Sequence, residues 1–389
     1  MASFLFWSAL IITVASLGTL LEGLWANHLV SRLDQTTSPS ASLGPNPPHL
    51  SLIVPACNEA PKLEAAVRSM LRQDYPNLEL ILIDDRSTDE TGAIIDRLAQ
   101  EFPQIRPVHI TELPPGWLGK NHALWVGAQV AQGDYLLFTD ADVQYNPTTC
   151  RRAVALCEER GLDHLTLAPA MLSKRYLLTA WVGFFIMSFL TSMRPYRANM
   201  PKSKAGVGIG AFNLVRRQAY EGIGTMQPIS LRPDDDLQLG RRLKRMGYRQ
   251  LVMDGKGMIA VEWYSTLWEA IRGLEKNTFA GFDYNLPITV GAISGILVVM
   301  VWPFIGLFLA SGTAQALFGA TILLQWAIYL IANRTMDVQS WRYLPAYPIS
   351  ALLFCFTCAR ALFLTLWKGG ISWRGTFYPL SLLRSQRGN

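Results

Sequence analysis

The chain has 389 residues, 50% of them are hydrophobic, and its formal net charge at pH 7 is +6. This length exceeds what one compact domain usually needs. The positive charge lies in no basic stripe with interleaved aromatic residues, so we expect no nucleic-acid partner; a membrane surface or an anionic small ligand explains the balance better.

The first predicted element is a transmembrane anchor within residues 1–30. Its apolar run, 4–26, is long enough to span a bilayer and contains a single acid, Glu22. Because the run lacks the basic start of a signal peptide, we predict a retained helix. A linker rich in serine and proline follows at 31–49.

Residues 50–286 read as a soluble domain of the α/β class. A hydrophobic run in "LSLIVPACNEA" (50–60), a helical stretch (60–73) and a second run in "LELILIDDRSTDET" (78–91) predict a βαβ unit with a parallel sheet. Ligands of such sheets bind beyond the carboxyl ends of the strands, where both polar motifs fall. Two adjacent aspartates alone can be explained as a helix N-cap. Polar clusters at two consecutive strand ends, however, favour a binding site.

The next segment predicts a site for a metal and a diphosphate. Lys120 precedes a helix, and a lysine beside a helix N-terminus is suited to phosphate. In "YLLFTDADV" (135–143) the following strand ends at Asp140 and Asp142, whose charges repel unless a cation lies between them and a ligand. Hard oxygen ligands of this kind suit Mg²⁺ or Mn²⁺ completed by substrate phosphate. An Asp-x-Asp string is common by chance, so the prediction depends on this order of motifs.

A further apolar helix is predicted inside the soluble domain, at 176–197. A helix crossing the membrane here would place the two halves of the proposed site on opposite sides. We therefore expect it to lie at the membrane surface, anchored by Arg194 and Arg197, with a buried core helix as the alternative. The glycine-rich segment 206–217 suits either a close backbone approach to a donor sugar or a packed strand.

Residues 287–389 predict a C-terminal membrane region with about three helices, at roughly 289–310, 314–332 and 345–366, and a basic tail. No basic residue precedes the first span and Arg32 follows it, so the soluble domain should face the cytoplasm of a multi-pass cell-membrane protein. Three later spans would place the tail, with four basic residues, outside. Either one C-terminal segment is interfacial or re-entrant, or the anchor has the opposite orientation.

The cysteines add no cofactor to this prediction. The sequence has five, without disulfide-framework spacing. Cys355 and Cys358 form a C-x-x-C pair, but they lie in an apolar segment where packing between helices explains small residues.

The motifs "VPACNEA", "IDDRSTDET", "GKNHAL", "FTDADV" and "DDDLQLGRRLKRMGY", in this order, resemble the inverting family 2 glycosyltransferases. The similar branch is membrane-anchored and includes ceramide glucosyltransferases and the hopanoid-associated and carotenoid glycosyltransferases. The resemblance covers 50–286. It implies a GT-A fold, Rossmann-like with a mostly parallel sheet, between N-terminal and C-terminal transmembrane helices. It does not specify the acceptor.

The resemblance also implies residue roles. The donor nucleotide would meet a first loop and a second strand end, and its diphosphate would meet a lysine and a metal held by two aspartates, with Asp142 favoured as the direct ligand. These positions are Pro55, Ala56, Glu59, Asp84, Asp85, Lys120, Asp140 and Asp142. The family's Gln/Arg-x-x-Arg-Trp element is absent, and Arg272 and Lys276, one helical turn apart, are the candidates to replace it.

The catalytic base is predicted within "RPDDDLQLG". An inverting transfer needs one carboxylate to accept the acceptor's proton, and neighbouring acids raise one another's proton affinity. The resemblance favours Asp236 as the base with Asp235 before it, yet three aspartates and no glutamate leave Asp235 and Asp234 open. Acids in a first helical turn also complement the helix dipole, which alone does not account for three in a row.

These observations predict a metal-dependent enzyme that moves a sugar from a nucleotide-sugar, with a UDP-sugar favoured, to a hydroxyl of a lipid or another amphiphilic acceptor. A processive polysaccharide synthase is an alternative, but four spans are few for a translocation channel. A non-catalytic, membrane-tethered nucleotide-sugar-binding protein is another, although it would have no chemical need for Asp140, Asp142 and Asp236 together. A dinucleotide-dependent enzyme is disfavoured because no G-x-G-x-x-G follows the first strand.

Overall fold

A computed structural model of the protein describes residues 1–334, 336 and 340–385. The chain divides into two compact units. The first, called the apolar unit here, comprises Met1–Leu29, Leu172–Arg194 and Trp263–Ile371. The second, called the α/β unit, comprises Val30–Met171, Pro195–Glu262 and the chain from Ser372 onward.

The strands of the described residues are short and lie mainly in the α/β unit. They are β1 (Leu50–Ala56), β2 (Leu78–Asp85), β3 (Ile105–Ile110), β4 (Tyr135–Phe138), β5 (Gln144–Tyr145), β6 (His164–Ala168), β7 (Ala170–Met171), β8 (Asn213–Arg216), β9 (Gln250–Asp254), β10 (Ile259–Val261), β11 (Gly370–Trp373) and β12 (Thr376–Pro379).

The helices of the described residues alternate with these strands and then dominate the C-terminal third. They are α1 (Ala2–Ala26), α2 (Leu33–Thr36), α3 (Ala60–Leu71), α4 (Thr91–Glu101), α5 (Gly119–Val130), α6 (Thr149–Arg160), α7 (Tyr176–Met193), α8 (Arg217–Gly222), α9 (Asp235–Arg245), α10 (Leu267–Gly281), α11 (Leu286–Ile296), α12 (Trp302–Leu309), α13 (Gly312–Ala332), α14 (Tyr347–Lys368) and α15 (Leu380–Arg384). A π-helical turn, Leu297–Val301, joins α11 to α12.

The main sheet has the strand order β3-β2-β1-β4-β8-β6-β9 within the described residues. All neighbouring pairs are parallel except those that β8 makes with β4 and β6. The chain proceeds outward from β1 to β3 and then returns to the other side of β1 for β4. Strand order therefore reverses between β1 and β4, and this reversal opens a crevice at the carboxyl ends of the strands, where ligands of such sheets bind.

Continuous apolar runs build this sheet because helices cover both of its faces. Leu52 and Val54 of β1 point into one buried cluster, whereas Ile53 points into a second cluster together with Ile81 and Ile83 of β2. Successive side chains of a strand alternate between faces, which explains the division. The predicted α/β class with a mostly parallel sheet and apolar terminal helices is confirmed.

The apolar unit is helical. Five helices of the described residues are long and apolar enough to cross a membrane: Ala2–Ala26, Tyr176–Met193, Leu286–Leu309, Gly312–Ala332 and Ser340–Lys368. Thr13 of α1 bonds Thr321 of α13, with the two hydroxyl oxygens 2.8 Å apart. Leu5, about two turns earlier in α1, packs in a cluster with Ala314 and Phe318, so these two helices run in the same direction.

Two ion pairs join other helices of the apolar unit. Arg194, which follows α7, pairs with Glu22 of α1 through Nε and Oε1 at 2.8 Å. Arg360, near the middle of α14, pairs with Glu275 of α10 at 2.5 Å. The α7 helix thus belongs to the unit that holds the apolar helices, and the sequence-based expectation that it lies at a membrane surface stays a prediction.

Candidate active site

Lys120 and two carboxylates form the centre of the candidate site. The lysine is the second residue of α5, and its Nζ lies 2.8 Å from Asp140 Oδ1 and 3.6 Å from Asp235 Oδ2. Burial lowers the pKa of Lys120, but the charges of Asp140, Asp235 and Asp236 outweigh this effect and the pKa is raised overall. The ammonium is therefore protonated at every physiological pH.

Asp236, in the first turn of α9, faces the same cavity as Lys120 and Asp140. Its Oδ2 accepts a hydrogen bond from the Gly210 N–H at 2.7 Å, and its Oδ1 accepts one from the Leu237 N–H at 2.8 Å. Burial raises the pKa of Asp236 against the opposing effect of Lys120. This carboxylate is thus positioned by backbone donors and has an increased affinity for a proton.

Gly210 allows two carboxylates, Asp140 after β4 and Asp236 in α9, to converge. A Cβ at this position would lie 2.8 Å from Asp140 Oδ2 and 3.4 Å from Asp236 Oδ2. The backbone of Gly210 also accepts a hydrogen bond from the Asp140 N–H at 3.1 Å. The glycine-rich segment therefore supplies a close backbone approach between a predicted metal ligand and a predicted base.

The three consecutive aspartates have different surroundings. Asp234 accepts two hydrogen bonds from Arg232, at 2.9 and 3.0 Å, and a third from Gln238 at 2.7 Å. The side chains of Asp234 and Arg232 are each only 5% exposed. Asp234 is therefore engaged in a buried ion pair, whereas Asp235 and Asp236 face Lys120.

Asp142 has the electrostatic surroundings of a metal ligand. Burial, followed by the negative charges of Asp140 and Glu59, raises its pKa to about 7. Its Oδ2 lies 3.9 Å from Lys62 Nζ, which donates to the Glu262 carbonyl. A divalent cation would neutralise the repulsion between these carboxylates, and carboxylate oxygens are ligands that Mg²⁺ and Mn²⁺ accept.

The protein alone supplies few ligands for such a cation. Among the described residues no group of three or more His, Cys, Asp or Glu side chains is arranged to hold a metal ion. The two aspartates Asp140 and Asp142 would hold it, and water and substrate phosphate would complete the shell, as is usual for Mg²⁺.

The predicted nucleotide loops lie at the ends of β1 and β2. Pro55 and Ala56 are the last residues of β1. Asp85 is 3% exposed, and Arg86 donates to both of its oxygens, at 2.8 and 3.2 Å. The Arg86 guanidinium thus fixes the orientation of this carboxylate at the end of β2. Asp84 instead accepts from the Ser87 N–H at 3.1 Å and stabilises the turn after β2.

Of the remaining predicted donor-binding residues, Glu59 lies in the α/β unit, whereas Arg272 and Lys276 lie in the apolar unit. Glu59 Oε1 lies 2.6 Å from Arg374 Nη2, a contact between residues at opposite ends of the chain. Arg272 and Lys276 belong to α10 of the apolar unit, a different compact unit from the aspartate cluster. The Arg272 guanidinium lies over the Trp268 ring, 5.2 Å from its centroid.

Sequence reasoning missed several residues that the fold brings to these loops. Lys62, in the first turn of α3, lies beside Asp142, and Arg86 holds Asp85. A basic residue immediately after the acidic pair was a local signal for Arg86. Arg374 had no local signal, because the residue it contacts is more than three hundred positions away in the sequence.

Known proteins are similar to this chain in sequence and in fold. Residues 51–224 match the family described as "Glycosyl transferase family 2". The chain is 23% identical over 345 residues to the 4,4'-diaponeurosporenoate glycosyltransferases of Staphylococcus aureus strains MRSA252 and bovine RF122 / ET3-1, covering 85% of this chain and 88% of each relative.

A solved structure shares the fold. The mannosyltransferase PcManGT from Pyrobaculum calidifontis, in complex with GDP-Man and Mn2+, superimposes with a TM-score of 0.56 at 20% identity, covering 94% of this chain and 99% of that chain. The family match and the relatives together identify the chain as a glycosyltransferase. In particular, the chain contains a family 2 glycosyltransferase domain with a GT-A fold, as the motif order predicted.

Proposed function

We propose that this enzyme transfers a single sugar from a nucleoside-diphosphate donor to a lipid-like acceptor, by an inverting, metal-dependent mechanism. The observation that carries this proposal is the convergence of Lys120, Asp140 and Asp236 around Gly210. A cation for a phosphate, a carboxylate for a metal and a buried carboxylate with a raised pKa are the groups that the reaction requires.

Each residue of the candidate site has a separate role in the proposed transfer. Asp236 accepts the proton of the acceptor hydroxyl. At the same time the hydroxyl oxygen forms a bond to the anomeric carbon of the sugar, and the bond from that carbon to the diphosphate oxygen breaks. Asp235 and Asp140 hold Lys120, whose ammonium stabilises the charge that develops on the leaving diphosphate. When bound to Asp140 and Asp142, a divalent metal supplies further charge neutralisation.

The donor base remains a proposal with two candidates. Asp85, whose oxygens already accept from Arg86, can also accept from an N–H group of a base, and both uracil and guanine present such a group. The resemblance favours a UDP-sugar, whereas PcManGT was solved with GDP-Man. Donor hydrolysis measured with both nucleotide classes decides between them.

The acceptor is the second open point. The apolar helices and the carotenoid glycosyltransferase relatives support an apolar, carotenoid-like acceptor. The acceptor in the name of these relatives, 4,4'-diaponeurosporenoate, is a carboxylate. A carboxylate acceptor is already a nucleophile and needs no catalytic base. A hydroxyl acceptor does need one, and the position of Asp236 favours that class.

The test uses purified full-length protein in detergent, radiolabelled UDP- and GDP-sugars, and a lipid extract with Mn²⁺. We expect one glycolipid carrying a single added sugar. Asp236→Asn should reduce turnover by about 10²–10⁴-fold with unchanged donor affinity. Undiminished turnover in this variant would indicate a carboxylate acceptor or a different base, and a long polysaccharide product would contradict the proposal.

We also propose a membrane topology with the N-terminus outside and the α/β unit in the cytoplasm. Strands β6 and β8 precede and follow α7 and are hydrogen-bonded neighbours, so α7 does not cross. The chain leaves the α/β unit after Glu262 and rejoins it at Ser372, so an even number of crossings separates these points.

The helix contacts favour one assignment of these crossings. The α11–α12 segment and α13 form an antiparallel pair, in which Gln325 donates to the Val299 carbonyl, and α13 runs parallel to α1. The ion pair of Arg360 with Glu275 in the middle of α14 would be costly at a bilayer centre. We therefore assign α14 to the interface, which keeps the basic tail on the cytoplasmic side.

Cysteine labelling of intact cells tests this topology in a cysteine-free variant. A cysteine introduced at Ser311, between α12 and α13, should react with an impermeant reagent from outside. A cysteine at Ser372 should react only after the membrane is opened. Reaction of both from the same side would contradict the assignment.

A further inference from the structure

The segment after α14 forms a turn with an unusual residue at its tip. The C-terminal hairpin, defined here as Ser372–Pro379, turns through Arg374 and Gly375, whose φ values are 49° and 79°. Two-residue turns with both residues in the left-handed region favour asparagine and glycine, and an arginine there is strained. Backbone strain of this kind is tolerated where a side chain is needed at that position.

Three residues of this hairpin contact three different loops of the donor site, all within the α/β unit. The contacts are Arg374 Nη2 to Glu59 Oε1 at 2.6 Å, Arg86 Nη1 to Thr376 Oγ1 at 3.4 Å, and the Gly119 N–H to Tyr378 OH at 3.3 Å. The loops after β1 and β2 and the start of α5 are the parts to which donor binding is assigned above. The hairpin therefore forms a wall of the same site.

The charges of this wall favour an anionic ligand. Arg86 is engaged by Asp85, and Lys120 by Asp140. Arg374 adds a guanidinium within electrostatic range of Asp140, and 38% of its side chain is exposed. Glu59 accepts from one nitrogen of the guanidinium, a group with several N–H donors in a planar fork that matches phosphate oxygens.

We propose that Arg374 binds the diphosphate of the nucleotide-sugar donor, so that the chain following the last apolar helix completes the donor site. This inference rests on the proposed function and names an additional donor-binding residue for it. Arg374, a residue of the α/β unit, would then replace the family's missing Gln/Arg-x-x-Arg-Trp element, for which Arg272 and Lys276 were the candidates in the sequence. The competing explanation is that Arg374 is only a structural clamp on Glu59.

Nucleotide binding separates these explanations. Full-length protein in detergent with Mn²⁺ is titrated with UDP and GDP, and with uridine and guanosine by competition. The variants are Arg374→Gln and Arg374→Lys. Lys368→Gln, an exposed charge at the end of α14, is the matched control.

We expect Arg374→Gln to weaken binding of the recognised nucleoside diphosphate by about tenfold or more, since hydrogen bonds to charged groups are strong. Binding of the matching nucleoside should change by less than about twofold, because it has no phosphate. Arg374→Lys should retain part of the affinity, and Lys368→Gln all of it.

Two results would overturn the inference alone: unchanged diphosphate affinity in Arg374→Gln, or an equal loss for diphosphate and nucleoside, which indicates a structural clamp. A wild-type protein that binds neither UDP nor GDP would instead overturn the proposed function, and this inference with it.

Discussion

The replacement of Gly210 by alanine tests the central geometry with a single methyl group. The added Cβ would lie 2.8 Å from Asp140 Oδ2, whereas ordinary contacts begin at 3.4 Å. We therefore expect the carboxylate of Asp140 to move by about 0.6 Å, which disturbs the 2.8 Å contact of its other oxygen with Lys120. Asp236 Oδ2 lies at 3.4 Å from the same Cβ and is not forced to move.

A displacement of this size at a reacting centre matters because catalytic groups act only in a narrow geometry. A misplacement of about 1 Å can cost about 10²-fold in rate. We expect kcat/KM for the donor to fall by about 10- to 100-fold in Gly210→Ala. The fold should be retained, because alanine reduces the entropy of the unfolded chain and the clash involves a movable carboxylate.

The matched control is Gly281→Ala, at the end of α10, where an added Cβ meets no atom within 4 Å. Initial rates with radiolabelled donor give kcat/KM, and thermal unfolding in detergent gives Tm for both variants. Wild-type kcat/KM in Gly210→Ala would refute the reasoning that Asp140 must lie against this backbone. A large fall in Tm would show that the glycine acts in folding instead.

The other predictions concern the neighbouring acids. Asp234→Asn should destabilise the protein by about 3–5 kcal/mol in chemical unfolding, because it removes the negative charge of a buried ion pair. A loss no greater than that of Asp236→Asn would contradict the structural role of Asp234. The pKa of Asp142 is raised to about 7, so protons should compete with the metal below this pH. Mn²⁺ affinity measured by electron paramagnetic resonance should fall by up to about tenfold per pH unit below pH 7, and Asp142→Asn should abolish most of both the affinity and its pH dependence. The raised pKa of Asp142 also affects the stability of the metal-free protein. As pH rises from the ordinary pKa of an aspartate towards 7, Asp142 loses its proton in the unfolded state but keeps it in the folded state, so the folded state becomes less stable. Chelation of the metal should stop turnover and Mn²⁺ should restore it; full activity in chelator would exclude the metal from the mechanism.

The sequence alone determined the class of this protein and predicted which residues form its candidate site. Apolar strand runs followed by polar residues are local signals, and the carboxyl ends of parallel strands meet at one edge whatever the details of packing. Lys120, Asp140 and the acids of "DDDLQLG" were therefore predicted to lie in one site, and the structure brings Lys120 within 3.6 Å of both Asp140 and Asp235.

Only the tertiary structure distinguished the three consecutive aspartates and brought in Arg374. Asp234, Asp235 and Asp236 have the same chemistry in sequence, and their surroundings differ because Arg232 and the Gly210 backbone pack against different ones. Arg374 reaches Glu59 only through the return of the chain after a run of apolar helices. Contacts between residues so far apart depend on how the elements pack, and local patterns of polarity and spacing carry no record of that packing.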